Sequence, residues 1–216
     1  KFGGTSLGSA DRIKGVADII NNDEPTFVVL SAMSGITNQL YEIYHNANQG
    51  NIHLADDQLE QVAAHFNETY LLLTDDREYD FSNEFLSPLR RLLLGAEEGI
   101  HMNEFVAYGE IMTVRLMSLY LESIGVEVVN IPALNFMWLA ENGEPNREKI
   151  GTKLLDCLSK APNVKVYLTE GFICRSYNSE ITNLSRGGSD YTATLIGAAL
   201  RAYEIQIWSD VDGFHN

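Results

Sequence analysis

Apolar positions along this chain switch repeatedly between a helical period and short unbroken runs. Ile13, Val16, Ala17 and Ile20 share one helical face, and Ser9 stands ahead of them as a cap, which predicts a helix over 10–22. The run Thr26-Phe27-Val28-Val29-Leu30 has the character of a strand covered on both faces. A second helix is predicted over about 37–48. From 56 to 121 the chain is mostly helical: Leu59, Val62, Phe66 and Tyr70 keep the period, as do Phe85, Leu89, Leu92 and Leu93. A break is predicted at 95–99 and a longer helix over 103–123. There follow a short strand over 126–130, a helix over 146–161 and a β-branched and aromatic strand over 164–168. A loop opens at 171–173, a helix covers 191–202, and a last strand over 204–208 leads into a polar loop over 209–216. Lys1 and Phe2 read as the end of a strand.

Strands alternating with helices predict a mostly parallel sheet with helices on both faces. The helical block at 56–121 is expected to be an insertion packed against one end. No repeat, low-complexity tract or linker interrupts the chain, so one domain over 1–216 is the simplest organisation.

Composition narrows the partners. Fifteen Lys and Arg against 30 Asp and Glu give a formal net charge of −15. That balance opposes a nucleic-acid binder, which needs a basic face, and opposes docking on anionic membranes. No apolar run approaches the length of a membrane span. Cys157 and Cys174 are too few for a disulfide framework and lack ligand spacing, which fits a reduced, cytoplasmic compartment. The histidines, His65 and His101 among them, show no metal-ligand spacing, so no dedicated metal site is expected. Trp138 and Trp208 are expected in the core.

Ligands of open α/β sheets lie beyond the C-terminal ends of the strands. Three turns rich in small residues fall at such ends, at 3–6, 31–35 and 186–190, and two carry a cation, Lys1 or Arg186. Small residues let backbone N–H groups approach a phosphate, and a helix N-terminus adds a favourable dipole. The P-loop pattern, the dinucleotide G-x-G-x-x-G pattern and the protein-kinase signatures are all missing. A phosphotransferase with this sequence belongs to another architecture.

Five ordered blocks carry a resemblance. Lys1-Phe2-Gly3-Gly4-Thr5-Ser6 is similar to the opening signature of the aspartate kinases. The stretch from Leu184 to Ala193, with Arg186-Gly187-Gly188-Ser189-Asp190 at its centre, resembles their second signature, with Ser185 where the family often has glycine. Trp208-Ser209-Asp210-Val211-Asp212-Gly213 resembles their nucleotide loop. The runs 31–38 and Tyr108-Gly109-Glu110 match two further blocks in the same order. The resemblance covers essentially the whole chain. It implies the three-layer α/β/α sandwich of the amino acid kinase superfamily, shared with carbamate kinases, around a mostly parallel sheet. It further implies ATP with Mg²⁺, L-aspartate as acceptor, and a homodimer. Family members continue into further nucleotide-binding segments and ACT regulatory domains, so the domain is expected to be incomplete at both ends.

Transfer of a phosphoryl group to a carboxylate brings two anions together, so cations and N–H groups must offset the charge. Lys1 is the candidate to bridge the transferring group and the attacking carboxylate, with Asp190 to orient it or to lie close to the transferring phosphate; Asp190 also stands where an aspartate caps a helix. Arg186 suits the α-carboxylate of the acceptor and Glu110 its ammonium, the roles the resemblance also assigns. Ser34, Thr37 and Ser189 are candidate acceptor contacts. Gly3, Gly4, Thr5, Ser6, Gly187 and Gly188 would cradle phosphates, and Ser209, Asp210 and Asp212 would lie by the nucleoside.

Overall fold

The computed structural model describes residues 1–22, 24–96, 101–185 and 187–209. Its centre is a parallel sheet of β1 (Thr26–Leu30), β2 (Val128–Asn130) and β3 (Val166–Glu170) in the order β1-β3-β2. Phe2 extends the ladder beyond β1: its N–H donates to Val29 O at 3.0 Å, and Ser31 N donates back to Phe2 O at 3.2 Å. Trp208 bridges Phe2 on the outer side, in parallel.

Alternation along these strands divides the core in two. Val28, Leu30, Val166 and Leu168 face one apolar cluster, while Phe27, Val29, Val129 and Tyr167 face the other. The first cluster is covered by α1 (Ala10–Ile20), α2 (Ile36–Asn48), α3 (Ile52–Thr74), α4 (Leu86–Leu94) and α5 (Met102–Ser123). The second is covered by α6 (Arg147–Ser159) and α7 (Gly188–Leu200), with the 131–137 segment between them and the sheet. The result is the three-layer α/β/α arrangement that the alternating pattern predicts.

Local chemistry explains the element ends. Ser9 is extended, and its side chain accepts from Arg12 N at 3.4 Å, capping α1. Asn146 does the same for α6 through Lys149 N at 3.0 Å. Phe66 and Phe81 stack at 5.6 Å between centroids, and Phe85 adds to them, giving the α3–α4 region its own aromatic centre.

Several sequence expectations need correction. Helix α5 is no insertion at one end. It packs on β2 and β3 and forms part of the layer over the sheet, because Phe105, Val106, Val114 and Leu121 are all buried. The expected loop after 171 contains a hairpin of β4 (Ile173–Arg175) and β5 (Ile181–Asn183), too short to leave a period in the sequence. The expected strand over 204–208 is reduced to the single bridge at Trp208, and Trp208 is exposed, not core. Trp138 is only partly buried, with Lys149 Nζ 3.2 Å from its ring centroid. The break expected at 95–99 includes 97–99, which lie outside the described residues, as does the polar loop from 210 onward.

The closest approach of α5 to the turn after β1 falls at Gly109. A Cβ there would lie 3.1 Å from Ala32 Cβ and 3.4 Å from Leu40 Cδ1. Alanine would gain helix propensity against this crowding, but a branched side chain has no room. Gly109→Val is therefore expected to lower stability by about 1–3 kcal/mol, read as a lower urea midpoint with unchanged slope.

Candidate active site

The 31–35 turn follows β1, the 171–172 turn follows β3, and the 3–6 turn follows the Phe2 bridge. All three lie at the same edge of the sheet, the carboxyl ends of parallel strands. There a cleft of about 470 Å³ opens, lined in part by Lys1, Gly4, Thr5, Ser34, Thr37 and Glu110. Gly187, Gly188, Ser189 and Asp190 close it from the start of α7. The 3–6 and 31–35 turns interlock, with Ser34 N donating to Gly4 O at 3.1 Å.

Two helix N-termini point at the cleft. Gly35 precedes α2 with φ +85° and Gly187 precedes α7 with φ +83°, and neither helix has a side-chain cap. The left-handed backbone is why glycine stands at both places. Ile36 N and Asp190 N donate to Met33 O at 3.1 Å and Gly187 O at 3.0 Å; without a capping side chain the other first-turn N–H groups can meet an anion, which the helix dipoles favour. Both helices thus contribute local positive potential to a strongly acidic chain.

Lys1 reaches across this face to α7. Its Nζ lies 2.5 Å from Asp190 Oδ1, an ion-pair distance, although the angle falls outside hydrogen-bond geometry. The Lys1 side chain is only 10% exposed and that of Asp190 48%. Asp190 lies in the first turn of α7 but is not its cap, a place held by Gly187.

Glu110 contributes a buried carboxyl on the opposite side. It is 3% exposed, and its Oε1 accepts from Ala32 N at 3.2 Å. One turn on, Thr113 Oγ1 accepts from Met33 N at 3.1 Å, so α5 holds two successive amides of the turn. Among the described residues Glu110 Oε2 is buried without a hydrogen-bond partner. Burial pushes the Glu110 carboxyl up to about 8, opposed in part by the Ala32 amide and reinforced by the charge of Glu170. A carboxyl poised in this way is suited to meet a cation.

Of the other residues singled out in the sequence, Gly3, Ser6 and Ser209 lie outside the lining of the cleft. Arg186, Asp210 and Asp212 lie outside the described residues. The cleft also contains residues that sequence patterns gave no role: Asn38 and Ser185, which stand inside the recognised blocks, and Phe172, which does not. Phe172 has φ +69°, a costly conformation for a bulky side chain. It is held there by Thr192 Oγ1, which accepts from its N–H at 3.3 Å, and by Leu184 N, which donates to its carbonyl at 2.7 Å. Beside it, a Cβ on Gly171 would fall 2.5 Å from Ser189 Oγ and 2.9 Å from Ser189 Cα, so only glycine lets α7 seat this close. No periodicity could have marked either position.

An α/β sandwich with paired glycine-led helix starts at the strand ends defines a class of proteins that bind anionic small molecules there. The family model described as the amino acid kinase family matches residues 1–216, and the chain belongs to that family. Among curated relatives, aspartokinase 1, chloroplastic, of Arabidopsis thaliana is 32% identical over 230 residues, covering 99% of this chain and 40% of the relative. The aspartokinase of Chlamydia muridarum is 30% identical over 224 residues, covering 100% of this chain and 48% of its own length. Among solved structures, E. coli aspartokinase III in complex with lysine and aspartate superposes with TM-score 0.81 at 28% identity, over 99% of this chain and 49% of that one. The same enzyme with aspartate and ADP gives TM-score 0.81 at 28% identity, over 98% and 48%. The chain thus spans less than half the length of each of these relatives. No described helix is long and apolar enough to cross a membrane.

The raised Glu110 carboxyl carries a sign that can be tested. Between about pH 4.5 and about 8 the folded state holds a proton that the unfolded chain releases, so stability falls as pH rises through this window. Glu170 is also shifted upward by burial and acts in the same sense. Glu110→Gln, which keeps an oxygen for Ala32 N, is expected to flatten the unliganded protein's stability loss across this window by on the order of 2–5 kcal/mol. Urea midpoints measured at a series of pH values check it; parallel wild-type and variant curves would show that Glu110 is ionised throughout.

Proposed function

We propose that this chain is the catalytic domain of an aspartate kinase, transferring the γ-phosphoryl group of ATP to the side-chain carboxylate of L-aspartate. The product is 4-phospho-L-aspartate, and the reaction opens the aspartate-family route to amino acids. The observation that carries this reading is the make-up of one cleft: Lys1 and two uncapped helix starts on one side, the buried carboxyl of Glu110 on the other. An acceptor bearing two carboxylates and an ammonium matches both. The relatives named aspartokinase, one of them solved with aspartate and ADP, support the same substrates.

In this reading an oxygen of the acceptor's side-chain carboxylate attacks the γ-phosphorus while the bond to the β,γ-bridging oxygen breaks and ADP leaves. No proton need move. Lys1, held by Asp190, offsets charge between the two anions as they meet, and the N–H groups at the start of α7 receive phosphate oxygens. Glu110 takes the ammonium, Arg186 the α-carboxylate, and Ser34, Thr37 and Ser189 add hydroxyl contacts. Gly3, Gly4, Thr5, Ser6, Gly187 and Gly188 form the phosphate cradle, with Ser209, Asp210 and Asp212 toward the nucleoside. Mg²⁺ would arrive on the phosphates of ATP. Among the described residues no group of three or more His, Cys, Asp or Glu forms a cage for it. We place the protein in the cytoplasm as a homodimer, with residues 1–216 acting as one catalytic domain within it.

Two measurements test the assignment. An ADP-release assay on the full-length protein with Mg-ATP is expected to show turnover with L-aspartate, trapped as a hydroxamate, and none with N-acetyl-L-glutamate. Better turnover with another acid would leave only the superfamily reading. Lys1→Ala is expected to lower kcat by about 10²–10³-fold with a smaller effect on KM, and Arg186→Ala to raise KM for aspartate and not for ATP. A kcat near wild type in the first variant removes Lys1 from the mechanism.

A further inference from the structure

Two threonines that stand outside the cleft hold the turns that form it. Thr113 on α5 is 1% exposed and Thr192 on α7 is 0% exposed, and neither lines the cleft. Thr113 Oγ1 donates to Gly109 O at 2.8 Å and accepts from Met33 N at 3.1 Å, in the turn after β1. Thr192 Oγ1 donates to Gly188 O at 2.9 Å and accepts from Phe172 N at 3.3 Å, in the turn after β3. Each hydroxyl thus spends its one proton on its own helix and a lone pair on a strand end. A bond four residues back is ordinary for a helical threonine. Thr69 and Thr194 make it too, but accept no N–H among the described residues.

Both threonines follow a glycine at the same spacing, in Gly109-Glu110-Ile111-Met112-Thr113 and in Gly188-Ser189-Asp190-Tyr191-Thr192. Residues four apart lie on one helix face, so the bare backbone of the glycine and the hydroxyl meet the same loop. A Cβ at Gly188 would lie 3.2 Å from Phe172 Cδ2 and 3.3 Å from Phe172 Cα, as one at Gly109 would crowd Ala32. Between glycine and threonine stand groups proposed for the chemistry, Glu110 in one case and Ser189 and Asp190 in the other.

The turn held by Thr192 is strained. Ile173 N donates to Gly171 O at 2.7 Å across Phe172, whose φ is +69°. Such a bond over a positive φ makes a γ-turn of the rare hand, which persists only where its surroundings enforce it. Gly171 N donates to Leu30 O at 2.8 Å, at the end of β1. The γ-turn is therefore tied to β1 on one side, and Thr192 ties it to α7 on the other.

We propose that Thr113 and Thr192 are positioning residues for the phosphoryl transfer, Thr113 seating the acceptor half of the cleft and Thr192 the phosphate half. This rests on the aspartate kinase reading of the cleft. Through the 31–35 turn, Thr113 sets where Gly35 and Thr37 stand against Glu110. Through the γ-turn, Thr192 sets where Gly188, Ser189 and Asp190, with Lys1 held on it, stand against the strand ends. Transfer needs the two halves in register, so displacement of either shows in turnover.

The test is steady-state kinetics of the full-length protein with Mg-ATP and L-aspartate. Valine at either position keeps the shape and removes the hydroxyl, whereas serine keeps the hydroxyl. Thr192→Val is expected to lower kcat by about 10–100-fold with little change in KM for aspartate. Thr113→Val is expected to raise KM for aspartate by more than it lowers kcat. Thr113→Ser and Thr192→Ser are expected to stay close to the wild type. Kinetic constants in either valine variant that match the wild type, even with a lower urea midpoint, show a structural role only and overturn the proposal for that residue. Serine variants as impaired as the valine variants show that the methyl group matters and the hydroxyl does not, which overturns it too. No aspartate-dependent turnover in the wild type overturns the reading of the cleft and the proposal with it. Should the valine variants fail to fold, amide hydrogen exchange of the wild type decides. Met33 and Phe172 N–H groups protected like the amides of α5 and α7 support the proposal, and exchange at the rate of exposed loop amides ends it.

Discussion

The turn after β1 hangs on α5, and the cleft depends on that attachment. Ala32 and Met33 have their N–H groups turned away from the sheet, where no neighbouring strand can receive them. Glu110 and Thr113, one helical turn apart, accept from them instead. The spacing of an α-helix thus matches two consecutive amides of a loop, and Gly109 permits the close contact this requires. Placing a carboxyl in so dry a position is unfavourable unless it is neutral or meets a cation. The same side chain therefore shapes the loop and leaves one oxygen, Oε2, without a partner among the described residues. The fold and the proposed recognition would then be joined in one group.

Around that point the fold gathers positive potential without many cations. A chain with formal charge −15 would repel ATP and aspartate at long range. Helix starts at Gly35 and Gly187 supply partial positive charge from backbone alone, and they do so at the lining of the cleft, over distances where salt screens least. Parallel strands make this possible. β1 delivers α2 directly and β3 delivers α7 through the β4–β5 hairpin, both with the N-terminus at the cleft, so two dipoles add where the turns converge.

Much of this was legible in the sequence, and the losses have physical causes. Long periodic segments such as α1 and α5 and the buried run Thr26–Leu30 declare themselves, because packing against a sheet fixes the spacing of apolar residues. The cleft residues inside sequence blocks were legible too, down to Lys1, Thr37 and Glu110. Missing were features that depend on partners distant in sequence. The β4–β5 hairpin has three residues per strand, too few for a period. Trp208 looked like core because a large aromatic usually is, yet it stacks on Phe2 at 6.0 Å from the outer side of the sheet. Phe172 joins the site through a backbone conformation that its side chain disfavours, and Gly171 through the approach of α7, neither of which leaves a sequence signal. Glu170 resembled any strand-end acid until its burial was visible.

The Lys1–Asp190 pair shows how to separate stability from function in such a site. With Asp190 about half exposed, the pair contributes about 0–1 kcal/mol to folding. Stability therefore cannot explain why a lysine side chain one-tenth exposed spans from the sheet to α7. Positioning can. A flexible ammonium has many rotamers, and fixing it before the ligand arrives removes that entropy from the binding step. Asp190 is suited to this because it sits in the first turn of α7, beside the N–H groups proposed to receive phosphate oxygens. A phosphate bound there would meet both the helix start and the held cation. Asp190, being negative, must then yield part of the ammonium to the incoming anions. An ion pair whose carboxylate is half exposed can give way at little cost. A pair that adds little to folding is thus compatible with the charge-offsetting role proposed for Lys1.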